Sequence, residues 1–152
     1  MSASVVPGPA RQPPHVGSAL ECTVPGWPLR KRIRLAPEAT APRRARDFLA
    51  AVCAGWNAPR YTEIGGLVLS ELVSNAVRHA GTAVEVRLQL ADDRLRIEVH
   101  DGGAGRPQVI PPERRTIGGN GLDIVSRLAE SWGVSPDGNG GKSVWCVLAP
   151  ET

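Results

Sequence analysis

Aromatic side chains are scarce in this chain of 152 residues, which has one Phe, one Tyr and four Trp. A core must therefore be built from aliphatic residues, with the tryptophans as its bulky members. Cysteine is equally thin. Cys22, Cys53 and Cys146 are far apart, odd in number and form no Cys-x-x-Cys pair. That fits buried or incidental thiols in a reducing compartment better than a disulfide framework. No stretch approaches the ~18 apolar residues of a membrane span. The N-terminus has no basic segment followed by an apolar run, so it does not read as a secretory signal. The expectation is a cytoplasmic protein with no membrane partner.

Charge is uneven along the chain. The net +3 hides a first part, residues 1–60, with nine Lys/Arg against three Asp/Glu, and a second, 61–152, with nine against twelve. A basic part can meet nucleic acid or an acidic protein. Here the basic residues from Arg30 to Arg34 alternate with apolar ones and form no block, so no direct nucleic-acid contact is expected. The length suits one domain with a tail. Residues 1–28, broken by Pro7, Pro9, Pro13, Pro14, Pro25 and Pro28, read as a flexible tail, and 29–152 as the domain.

The apolar fraction of 41% is distributed with clear periods. Ile64, Val68, Leu72, Ala76 and Ala80 recur every four residues, flanked by Leu69, Val73 and Val77, which predicts a helix with a broad buried face. Glu71 and Asn75 interrupt that face one turn apart, on the same side. An earlier helix is expected to open at Pro37–Glu38 and run to about Gly55, with Pro42 in its first turn or displacing its start. Arg32 to Leu35 alternates as a strand at a sheet edge. Val84, Val86, Leu88 and Leu90 alternate with polar residues, Asp92-Asp93 turns the chain, and Leu95, Ile97 and Val99 alternate again. That is an antiparallel hairpin with one buried face. Asp101 shares parity with Val99, so it points to the covered side, where a carboxylate needs a hydrogen-bonding partner. Gly102-Gly103-Ala104-Gly105 follows, then a proline-rich loop from Arg106 to Ile117. Gly118-Gly119-Asn120-Gly121 then opens a helix carrying Leu122, Ile124, Val125 and Leu128. A glycine loop feeding a helix start presents free N–H groups to an anion. A return through Gly133-Val134 and a turn at Asp137–Gly141 lead to a last strand, Ser143 to Leu148.

Two phosphate-loop patterns are rejected. Gly141-Lys142-Ser143 resembles the end of a Walker loop, but that pattern needs Gly at 136, where Pro136 stands, and a helix after it, where a strand follows. Gly119-x-Gly121 lacks the third glycine of a dinucleotide fingerprint, because position 124 is Ile124.

Taken in order, Glu71-x-x-x-Asn75, Asp101-x-Gly103-x-Gly105 and Gly119-x-Gly121-Leu122 resemble the three boxes of the GHKL superfamily of ATP-binding domains. That superfamily is shared by gyrase B, Hsp90, histidine kinases and MutL. From about Ile33 to Leu148 the chain is most similar to bacterial anti-sigma-factor serine/threonine kinases. The resemblance implies a Bergerat-type α/β two-layer sandwich: a mixed, mostly antiparallel sheet with three helices on one face. It implies ATP and Mg²⁺ as cofactors. Asn75 would hold the metal, Glu71 would act as general base, and Asp101 would accept a hydrogen bond from the adenine amine. Gly103, Gly105, Gly119, Asn120, Gly121 and Leu122 would line the nucleotide. Ser143 would stand where the family usually has a threonine near the adenine, and Arg78 could approach a phosphate. Residues 106–117 correspond to the lid over ATP. The partner implied is a sigma factor or an anti-sigma antagonist protein, with a homodimer possible. The residues before the domain show no pattern of a helical hairpin bearing a phosphoacceptor histidine, so a complete histidine kinase is not expected. The same boxes also serve an ATP-dependent binding module without catalysis, or a stand-alone ATPase subunit of a histidine kinase system.

Overall fold

Alternation of apolar residues in 84–101 makes a two-stranded ribbon, and the rest of the sheet is added to its two sides. The computed structural model describes residues 5–6, 27–102, 121–138 and 140–150. In chain order they form β1 (Val5–Val6), β2 (Leu29–Leu35), α1 (Ala41–Gly55), a 3-10 turn (Pro59–Tyr61) and α2 (Thr62–Ala80). Then come β3 (Val84–Ala91), β4 (Arg94–Asp101), α3 (Gly121–Leu128), β5 (Ser131–Pro136) and β6 (Lys142–Leu148). The sheet order is β1-β5-β6-β4-β3-β2. Every pairing among the described residues is antiparallel, where a mixed sheet was expected. β2 takes one edge, as its alternation suggested.

The β3–β4 register runs from Val84 opposite Asp101 to Ala91 opposite Arg94. Asp92 and Asp93 bridge the strands with φ of 50° and 65°, the left-handed pair that a tight two-residue hairpin demands. Aspartate tolerates that region better than most side chains. Here the turn is also fastened from outside: Arg60 pairs with the Asp93 carboxylate, and the Tyr61 hydroxyl donates to the Asp93 carbonyl.

One face of the sheet is apolar. Val84, Val86 and Leu88 of β3, Leu95, Ile97 and Val99 of β4, and Val144, Cys146 and Leu148 of β6 are buried with residues of all three helices. Each such side chain contributes about 1.5–3 kcal/mol. In α2 the buried positions are Gly65, Gly66, Val68, Leu69, Leu72, Val73 and Ala76; Val68, Leu72 and Ala76 follow the four-residue spacing, whereas Ile64 and Ala80 at its ends are half-buried. The helix stops at Gly81, whose φ of 68° ends it in the left-handed conformation. α1 begins only at Ala41. Pro42 is accommodated in its first turn, where a missing N–H costs nothing, so the start is displaced from Pro37–Glu38.

The opposite face, read from alternation as the polar side, is largely covered. Gln89 is buried. Arg96 bonds Gln89 at 3.1 Å and Glu98 at 2.7 Å, and Arg87 bonds Glu85. Burial raises the Glu98 carboxyl, but the charge and hydrogen bond of Arg96, the Ser143 hydroxyl and the charge of Arg87 outweigh it and hold its pKa below the ordinary value. Beside this lattice, Trp27, Ala91, Trp145 and Val147 form a second apolar cluster. Trp27 falls in the stretch read as a tail, yet only 5% of it is exposed. Val5–Val6, in the same stretch, pairs with Trp132–Gly133 of β5.

Candidate functional site

The register of β4 and β6 sets Asp101 directly opposite Lys142. Lys142 alternates with Val144, Cys146 and Leu148, so it shares the helix-facing side with Asp101. Its Nζ lies 3.1 Å from each carboxylate oxygen. The two side chains are only 8% and 1% exposed. Either charge alone in that place would carry a desolvation penalty of several kcal/mol, and pairing makes the burial tolerable. The approach depends on Gly141. A Cβ there would sit 2.5 Å from the Asp101 carbonyl oxygen and 3.2 Å from the Gly102 Cα, so only glycine lets β6 begin against the end of β4. The Gly141 N–H donates to Asp137 Oδ1 at 3.0 Å, and the Gly102 N–H donates to Thr82 Oγ1 at 2.9 Å. Both strand ends are therefore anchored.

Above this pair lies the C-terminal half of α2. Leu72, Asn75, Ala76 and His79 follow the i, i+3, i+4, i+7 spacing of one helix face. With Val99, Asp101, Lys142 and Val144 they line a pocket. Its walls are aliphatic, its deep end is charged, and Asn75 puts a carboxamide on its rim. Asn75 Oδ1 accepts a 2.6 Å bond from Arg78 Nη2, one turn on.

Not all of the expected site residues meet here. Glu71 is half-buried one turn before Asn75 and is not among the pocket-lining residues. Leu122 is 2% exposed in the main core, where it seats α3 and makes no part of the pocket wall. Ser143 is turned the other way. It pairs with His100, and its hydroxyl serves Glu98 on the opposite face of the sheet. The reason is strand parity: neighbours in β6 point to opposite sides, so the residue beside Asp101 is Lys142 and not Ser143. Gly121 is the first residue of α3. Gly103, Gly105, Gly119, Asn120 and the segment 106–117 lie outside the described residues.

Sequence reasoning missed two polar lining residues, Lys142 and His79. Lys142 was visible only as part of a failed Walker pattern, although alternation with Val144 and Cys146 marks it as inward. His79 lies seven residues after Leu72, on the same helix face. The buried thiols are inert by comparison. Burial pushes Cys53 up, and Cys146 up to about 12, so neither is a nucleophile at neutral pH.

The donor set decides what the pocket can hold. Aliphatic walls ending in a buried acceptor and donor match the chemistry of a flat heterocycle's polar edge, although the space they enclose is about that of one water molecule. Among the described residues no group of three or more His, Cys, Asp and Glu could hold a metal ion. Asn75 supplies a single oxygen, which fits Mg²⁺ only when phosphates and water complete its shell. No described helix is long and apolar enough to cross a membrane.

Residues 35–148 match the protein family described as the histidine kinase-like ATPase domain. Among solved structures, the chain is similar to that of the RsbU and RsbW domains of Rv1364c from Mycobacterium tuberculosis. The TM-score is 0.62 at 23% identity, over 80% of this chain and 32% of the other. The likeness therefore concerns the fold of about a third of that longer protein. No curated protein matches the chain.

Proposed function

The chain belongs to the histidine kinase-like ATPase domain family, and from that premise we propose that it is an ATP-dependent protein serine/threonine kinase of the anti-sigma-factor type. The observation that carries the nucleotide reading is Asp101, buried in a pocket whose other wall includes Asn75. In this reading the base enters between Leu72 and Ala76 on one side and Val99 and Val144 on the other. Asp101 accepts a hydrogen bond from its exocyclic amine. Asn75, released from Arg78, would hold Mg²⁺ through Oδ1, and that ion would supply positive charge to offset the phosphates. Arg78 would turn toward a phosphate in this reading.

Transfer would run as follows. A serine or threonine hydroxyl of a partner protein forms a bond to the γ-phosphorus, the β–γ bridging bond breaks, and ADP leaves. Glu71 takes the hydroxyl proton. The partner is an antagonist of a sigma factor, or the sigma factor itself, and two copies of the chain could form the working unit. Retention of partner proteins from native lysate with and without Mg-ATP, followed by transfer of γ-labelled phosphate, tests this. Acid-stable label on a retained protein is expected. Acid-labile label on a histidine would support the stand-alone ATPase subunit instead.

One observation favours a second reading, a nucleotide-dependent binding module without transfer: Glu71 stands outside the pocket lining. Partner retention that depends on Mg-ATP but leaves every retained protein unlabelled would select it.

The nucleotide premise has its own test. Calorimetry should show Mg-ATP binding that Asp101→Asn weakens by roughly 1–3 kcal/mol. Equal affinity in the folded variant would overturn the base assignment.

A further inference from the structure

The deep end of the pocket is taken up by a side chain. Lys142 Nζ stands 3.1 Å from each oxygen of Asp101, and both residues line the pocket. With the pair in that position, the lining encloses about the space of one water molecule. A purine is several times larger, so its polar edge reaches Asp101 only if part of the lining gives way. The walls are poorly suited to that. Leu72, Ala76, Val99 and Val144 belong to the main core, and in a close-packed interior a shift of any of them is felt by its neighbours. Lys142 is the exception. It is not a member of that cluster, and its ammonium rides on a flexible four-carbon stem. It is also the first residue of β6. The turn before it is exposed at Asp137, Gly138 and Gly140, so solvent lies just beyond the strand end.

Two different donors satisfy the buried carboxylate. Lys142 does so through a charge-assisted pair, which makes the burial of Asp101 tolerable. A base does so through its exocyclic amine, which donates to the same oxygens. The two donors compete for one carboxylate and, because the pocket is so small, for one space.

We propose that Lys142 is an internal competitor of the nucleotide: it holds the base site shut through Asp101 and turns outward to solvent when a base binds. The inference rests on the nucleotide reading above and adds to it which residue limits the affinity of the site. Part of the binding free energy goes into breaking the ion pair. Lys142 therefore lowers the affinity for ATP while it stabilises the fold in the absence of nucleotide.

Lys31 and Lys142 are the two lysines of the chain, and Lys31 is exposed on β2. Acetylation of the full chain, read by mass spectrometry of its peptides, thus reports Lys142 against an internal reference and needs no variant to fold. Without nucleotide, Lys142 should react far more slowly than Lys31. Saturating Mg-ATP should speed its reaction and leave Lys31 unchanged. An unchanged or slower reaction of Lys142 with Mg-ATP bound would overturn the proposal, because the ammonium would then stay in the pocket. Calorimetry gives a second test, of opposite sign to that for a residue that contacts the nucleotide. Lys142→Ala should bind Mg-ATP about tenfold or more tightly than the unaltered chain, the equivalent of one charged hydrogen bond no longer to be broken. Its melting temperature without nucleotide should be lower. Lys142→Ser leaves a short hydroxyl near Asp101, guards against an alanine variant that fails to fold, and should also bind more tightly. Equal or weaker binding by the folded variants would remove this inference alone. Failure of the unaltered chain and of both folded variants to bind Mg-ATP would remove it together with the reading beneath it.

Discussion

Asn75 and Glu71 stand one turn apart on α2, yet only Asn75 reaches the pocket. Their proposed roles differ, and so should the effects of removing them. Asn75→Ala takes away the only carboxamide oxygen among the described rim residues and should lose Mg²⁺-dependent ATP affinity. Glu71→Ala should keep that affinity and lose transfer, since a proton acceptor matters in the transition state and not in nucleotide binding. A general base is typically worth about 10²–10⁴-fold in rate. Equilibrium binding and single-turnover phosphorylation, measured on both variants, separate the two. Normal transfer by Glu71→Ala would show that another group takes the proton.

At the scale of the element, the site depends on how closely chain segments can approach. β6 begins against the Asp101–Gly102 backbone only because position 141 has no side chain. Gly141→Ala places a Cβ 2.5 Å from a backbone carbonyl oxygen that cannot swing aside. The expected result is a melting temperature lower by several degrees and a displaced Asp101, read as weaker nucleotide binding. Gly66 on α2 is the contrasting case. An added Cβ there meets only the flexible side chain of Arg46, at 3.8 Å, and the outermost carbon of Leu49 at 4.0 Å. Gly66→Ala should therefore leave packing intact and gain up to about 1 kcal/mol of helix propensity. A melting curve on each variant checks the opposite signs.

Across the whole molecule, the second face of the sheet contributes to stability. Glu98 has a folded-state pKa below its unfolded value, which is about 4.3. The sign follows directly: its stabilising contribution is full above that unfolded value and is lost as pH falls through the lower folded one. Urea midpoints should decline below about pH 4.5, and Glu98→Gln should flatten that decline. On the same face, Trp27 packs with Ala91, Trp145 and Val147. Trp27→Ala should cost about 3–5 kcal/mol by the usual range for large-to-small changes, seen as a drop in the urea midpoint. An unchanged midpoint would mean that the domain starts after Trp27, as the proline content of 1–28 suggests.

Local pattern alone determined most of the architecture. The four-residue period of 64–80, the two-residue period of 84–101 and glycine at 81 fixed α2, the β3–β4 hairpin and the helix end, because each depends on near neighbours in sequence. The inward parity of Asp101 was legible for the same reason. What the sequence could not decide was which residues meet across strands. Lys142 and Asp101 are separated by 41 positions, and only the register of β4 with β6 brings them together. That register also turns Ser143 to the far face and draws Glu98, Arg96 and Gln89 into a covered lattice on a side that alternation alone marks as polar. A period tells which side chains share a face, whereas contact across the sheet is set by strand order and register, which tertiary packing selects.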